Sequence, residues 1–85
     1  MAYLARRICR DTVGSYVVST VRLGEVYEHY IEVPTWETLV FGDGLWDEYE
    51  VRYKSVEDAI AGHNNIVEEI KKNAKPIPKR VFLED

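Results

Sequence analysis

Thiols are nearly missing from this chain. Cys9 is the only cysteine among 85 residues, which excludes an intrachain disulfide and any zinc site built from several thiolates of one chain. A lone cysteine without an activating neighbour reads as a small, partly buried apolar residue. Long apolar runs are missing as well, since none approaches the roughly 20 residues that a membrane helix needs. The N-terminus MAYLARRICR carries arginines but no apolar segment behind them, so no secretory signal is expected. Histidine occurs twice, at 29 and 63, with no HxxxH or Cys–His spacing around either. No phosphate-cradling glycine loop, paired carboxylates, serine triad or metal cluster stands out. These absences predict a protein of the cell interior with no membrane association, no cofactor and no catalytic residues.

What is present is an ordinary globular composition, 46% apolar and 31% charged, in a chain long enough for one core and no second. The net charge of −4 hides an uneven distribution. Residues 1–15 hold three arginines against one aspartate, 16–70 three cations against twelve acids, and 71–85 five cations against two acids. An acidic body with basic ends argues against a nucleic-acid platform. The segments accordingly divide into an N-terminal extension (1–15), a folded domain (16–73) and a C-terminal tail (74–85).

Residues 16–24, YVVSTVRLG, are rich in β-branched types and close on a glycine, which predicts a strand. WETLVFG at 36–42 and LWDEYEVRY at 45–53 predict two more, joined by the GDG turn at 42–44 as a hairpin. Alternation places Tyr49, Val51 and Tyr53 on one face of the third strand. It sets Leu39 and Phe41 opposite Trp36, Thr38 and Val40 on the second. Residues 25–35 either prolong both strands or form an ordered loop, and ARRIC near the N-terminus is either an added strand or a short helix. VFL near the C-terminus docks either as an edge strand or on a neighbouring molecule.

The stretch SVEDAIAGHNNIVEEI at 55–70 predicts a helix. Ser55 can cap it, Asp58 suits its positive end, and Lys71, Lys72 and Pro76 mark its finish. Val56, Ala59, Ile60, His63, Ile66, Val67 and Ile70 recur at spacings of three and four, an apolar stripe. Gly62 and His63 break its character. Glycine in a helix interior costs about 1 kcal/mol against alanine, so it predicts close approach of another backbone or ring. His63 then reads as a packing residue, one nitrogen bonded to a tyrosine or backbone group and the other to water.

The order of elements predicts an α+β fold, an antiparallel sheet of three to four strands with one C-terminal helix on one face. The face away from the helix would then carry Trp36, Val40, Trp46 and Val18. An exposed aromatic face of that kind predicts a homodimer, paired through sheets or strand edges.

Three pieces, VSTVRLG at 18–24, ETLVFG at 37–42 and RYKSVEDAIAGHNNIVEEI at 52–70, together resemble a family of small uncharacterised bacteriophage and prophage proteins. Members run a strand like VSTVxLG, a loop, a strand like ETMVF and a segment like RYxTxEEAxxGHxxxV. The resemblance covers about residues 17–70, and the glycine–histidine helix is its most specific part. It implies a phage setting, hence the cytoplasm of a bacterial host, and no reaction. The chain departs from the family in residues 1–15 and in the loop, which holds one proline.

Two functions follow as expectations. The first is a non-enzymatic protein that binds a host macromolecule, with a host protein as the expected partner, to block a defence or redirect a host enzyme. The second is a dimeric sponge for a nucleotide-like ligand, with rings stacking on the base and Arg22 or Arg52 on the phosphates. The candidate binding residues are Arg22, Tyr27, His29, Tyr30, Trp36, Trp46 and Arg52, with no metal ligands among them.

Overall fold

The computed structural model describes residues 6–23, 27–28, 31–32 and 35–76. Strands β1 (Arg6–Val13) and β2 (Tyr16–Leu23) form a hairpin around Gly14 and Ser15. Gly14 has φ +60°, the positive value that a two-residue II′ turn demands at its first central position and that glycine takes without strain. The stretch that the sequence left between strand and helix is therefore strand β1. Two-residue strands β3 (Tyr27–Glu28) and β4 (Ile31–Glu32) pair with each other in a separate ribbon. β5 (Thr35–Gly42) and β6 (Glu50–Tyr53) complete a four-stranded antiparallel sheet in the order β1-β2-β5-β6. Helix α1 (Val56–Lys71) packs across all four strands. This is the expected two-layer α+β architecture.

The helix begins as the sequence predicts, with the Ser55 hydroxyl accepting from the Asp58 N–H at 3.1 Å. It closes by a device that the sequence hid. Asn73 takes φ +60°, the Asn73 N–H donates to Ile70 O at 3.0 Å, and the Ala74 N–H donates to Glu69 O at 3.0 Å. That is a Schellman close with asparagine in the place usually held by glycine. Most of the stripe is as read, with Ala59, His63, Ile66, Val67 and Ile70 buried, but Ile60, expected in it, is 40% exposed.

Two expectations fail. The third strand does not start at 45. Residues 43–48 fold back as a turn, with the Asp47 N–H donating to Gly44 O at 3.1 Å and the Tyr49 N–H to Trp46 O at 3.0 Å. Val40 then faces two residues at once, accepting from the Glu48 N–H at 2.9 Å and donating to Tyr49 O at 3.0 Å. Glu48 sits at φ +67°, so the ladder is broken by a bulge whose first residue is left-handed. The bulge and turn together carry Trp46 out of the strand and into the core, where it is 3% exposed.

The second failure concerns which face is covered. Val18, Val40 and Trp46 lie in the core beneath the helix, with Ile66, Val67 and Ile70. Val18 pairs with Val40, Thr20 with Thr38, and Arg22 with Trp36, so all six side chains share the helix side. The face away from the helix carries Val17, Val21, Leu39 and Phe41 instead. The physical reason lies in the threonines. The face with Thr20, Thr38 and Asp11 supplies a hydrogen-bond partner to each ring nitrogen of the buried His63.

Candidate functional site

His63 stands midway along α1 with no exposed surface, and it draws together three strands. Its Nδ1 lies 2.7 Å from Thr20 Oγ1 on β2. Thr20 Oγ1 is hydrogen-bonded in turn to Thr38 Oγ1 on β5. On the other side of the ring, Nε2 lies 2.7 Å from Asp11 Oδ2 on β1. An ionised carboxylate only accepts, so the Nε2 hydrogen belongs on the Asp11 side. In the neutral ring Nδ1 then accepts from the Thr20 hydroxyl, which accepts from Thr38. If the ring is protonated, Nδ1–H donates and the two hydroxyls reverse. Both charge states can therefore be satisfied by rotating hydroxyls alone.

Beside this chain, Gly62 lets α1 descend onto Tyr53 of β6. A Cβ at position 62 would fall on the Tyr53 ring, inside the distance at which atoms can coexist. The Tyr53 hydroxyl is buried and finds no hydrogen-bond partner. Burial pushes its phenol above the ordinary value. The neighbouring Thr38 pulls the other way, though it does not reach hydrogen-bond geometry.

Asp11, His63 and Thr20 stand in the order carboxylate, imidazole, hydroxyl, an order that activates a nucleophile in many hydrolases. Here it serves another end. Thr20, Thr38 and His63 are each 0% exposed, and the groove found on the structure is lined by other residues. With hydroxyls and imidazole buried and only the Asp11 carboxylate reaching the surface, the network ties β1, β2 and β5 to the helix. The packing reading of His63 holds, with corrected partners: threonine and aspartate rather than tyrosine, backbone or water.

That groove, of about 490 Å³, lies between the β1–β2 turn, residues 45–46 and the end of α1. Val13, Tyr16, Trp46 and Ile70 line it, Leu45 stands over it at 74% exposure, and Lys71 borders it. Its wall is held rigid by Trp46. The indole N–H donates to Ala74 O at 2.9 Å, the Trp46 backbone N–H donates to the Tyr16 hydroxyl at 3.3 Å, and Tyr49 packs edge-on at 4.9 Å.

The residues singled out from the sequence do not converge. Arg22 and Trp36 meet, with the guanidinium carbon 5.5 Å from the indole ring centroid, a cation–π distance. Arg52 is on the opposite face, bound to Glu37 at 3.1 Å and Glu50 at 3.6 Å. It cannot join Arg22 on one phosphate. Trp46 is core, with its edge on the groove. Tyr27 lies in β3 opposite Glu32, while His29 and Tyr30 fall outside the described residues, as does the VFL segment. Asp11, Thr20 and Thr38 went unnoticed in the sequence because their separations of 52, 43 and 18 residues leave no spacing signal.

The chain matches no family model, no curated protein and no solved structure. Among the described residues no group of three or more His, Cys, Asp or Glu could hold a metal ion. No helix among them is long and apolar enough to cross a membrane.

Proposed function

We propose that this chain is a small phage-type protein that acts in the bacterial cytoplasm by binding a host protein and catalyses no reaction. The observation that carries the reading is the groove under Leu45. A leucine left 74% exposed beside a hollow that Val13, Trp46 and Ile70 share with Ser15, Lys71 and Asn73 suits an apolar side chain of a partner better than it suits water. The Asp11–His63–Thr20 chain supports the same reading, since its imidazole and hydroxyl are buried and occupied in holding the fold. Affinity capture from bacterial lysate with the tagged chain tests it. A defined host protein should be recovered by the wild type and lost with Leu45→Asp, whose exposed position leaves the melting temperature unchanged. Equal recovery by both would remove the groove from the reading, and recovery of nothing by the folded wild type would remove the binding function.

A second reading, the sponge for a nucleotide-like ligand, draws on the Arg22–Trp36 platform. A ligand bound only by the native state raises the melting temperature by mass action. No shift with a panel of nucleotides at saturating concentration would end this reading.

A further inference from the structure

We propose that the tail of the chain, from Lys79 onward, pairs with the outer edge of β1 as a further antiparallel strand, with Phe82 opposite Cys9. Among the described residues β1 is bonded to β2 alone. Its other edge therefore offers a row of backbone donors and acceptors, the kind of edge that native chains cover with a segment of their own. The end of the helix brings the tail to that edge. Asn73 and Ala74 line the same groove as Val13 and Gly14, so the backbone leaves α1 beside the last residues of β1. The described residues end at Pro76, and IPKRVFLED follows. A strand that enters at Val13 and runs towards Arg7 is antiparallel to β1. At about 3.3 Å per residue, Lys79 to Asp85 is as long as Arg7 to Val13.

Charge selects the register. With Arg80 opposite Asp11, Phe82 falls opposite Cys9 and Glu84 opposite Arg7, so two unlike pairs form across the edge. Asp11 has room for a second partner, since it binds His63 through Oδ2 while its side chain stays 53% exposed. Arg7 is exposed as well. A slip of one residue in one direction would set Arg80 against Arg10, and a slip in the other would set Phe82 against Arg10. In the chosen register Pro78 opens the strand, a position where its missing N–H is tolerated.

The same register sends Phe82 to the helix side. Cys9 pairs with Thr20 and Asp11 with Val18, both beneath α1, and directly opposed residues share a face. Gly62 meets Tyr53 on β6, while His63 reaches Asp11 on β1. At about 100° per residue, Ile60 then lies on the β1 flank of the helix, where it is 40% exposed. The helix and β1 run in the same direction, with His63 at Asp11 and Ile70 near Val13, which brings Ile60 level with Cys9. Phe82 fills the notch between them. The inference does not depend on the proposed binding function.

Cys9 is the only cysteine, so disulfide trapping in the full chain reads the register directly. Opposed Cα atoms of an antiparallel pair lie about 4.5–5.5 Å apart, within the span of a disulfide. Under oxidised glutathione, Phe82→Cys should close an intrachain bond, detected by mass spectrometry as the loss of the two thiol hydrogens. Val81→Cys and Leu83→Cys should close about tenfold more slowly, because their side chains leave by the other face. In the Phe82→Cys background, Arg7→Glu and Glu84→Arg should each slow closure about threefold, and the two together should restore it. In the otherwise native chain, Phe82→Asp should speed hydrogen exchange of β1 amides about tenfold and leave those of α1 unchanged. Equal closure from all three positions would overturn the proposal. So would a bond formed mainly between two copies, or β1 amides indifferent to Phe82→Asp.

Discussion

His63 and Thr20 are 43 residues apart in the chain and 2.7 Å apart in the fold, nitrogen to hydroxyl, with neither exposed to solvent. Through this contact the helix is registered on the sheet. Replacing His63 with alanine leaves a cavity and strips a partner from Thr20 at once. A loss of about 2–4 kcal/mol is expected in urea unfolding followed by circular dichroism. Thr20→Val alone should cost about 1–3 kcal/mol by leaving Nδ1 unpaired, and the double variant should cost less than the sum of the singles. Additive losses would mean that the hydrogen bond carries nothing.

Gly62→Ala ordinarily strengthens a helix by about 1 kcal/mol. Here the sign should reverse, because the new methyl group meets the Tyr53 ring and overpacking typically costs about 1–3 kcal/mol. Shortening the opposing side chain provides the control. Tyr53→Leu should recover much of the melting temperature lost in Gly62→Ala, and an alanine variant more stable than wild type would show that the helix does not descend this far.

Tyr53→Phe removes a buried hydroxyl that has no partner. Stability should hold or rise by up to about 1 kcal/mol at neutral pH. The effect should also show in alkali. With the folded phenol raised above the ordinary 10.0 by burial, the unfolded chain ionises first, so stability falls as pH climbs through that value. The phenylalanine variant should lose less over the same range. Parallel curves would contradict a raised phenol.

Glu37 makes the same argument at acid pH. Burial first, and then the Glu50 carboxylate, raise it above the ordinary 4.5, while Arg52 opposes them. The folded state holds this proton longer than the unfolded state. The contribution is therefore complete below pH 4.5 and is lost as pH rises through the folded value. Relative to wild type, Glu37→Gln should gain stability steadily across that window. A difference independent of pH would place Glu37 outside the titration.

The helix was legible residue by residue. Its Ser55 cap, its buried stripe and the close approach implied by Gly62 all depend on neighbours within a few positions. The Asn73 close was not, because asparagine at a helix end is compatible with several endings. In the sheet, period-two alternation located β2 and β5 and sorted each into two faces. It could not say which face the helix would cover. Leu39 and Phe41 look more apolar than Thr38 and Val40, and judged on hydropathy alone they would be placed inside. Trp46 misled for a related reason. A bulge at a non-glycine residue, Glu48, leaves little trace in a run of alternating types, so the tryptophan was assigned to a strand it never enters.

The candidate site divides along the same line. Chain-local patterning by itself determined the layers, the order of the main strands, the capped helix and the acidic body with basic ends, because hydrophobic period, capping and charge are set by near neighbours. The tertiary structure alone decided that Asp11, Thr20, Thr38 and His63 form one hydrogen-bonded chain. It alone decided that the open face carries Phe41 instead of Trp46, and that Arg22 and Arg52 point away from each other. A buried polar group must find its partners wherever the fold brings them. That requirement acts across three strands and a helix, and it chose the face on which the helix lies.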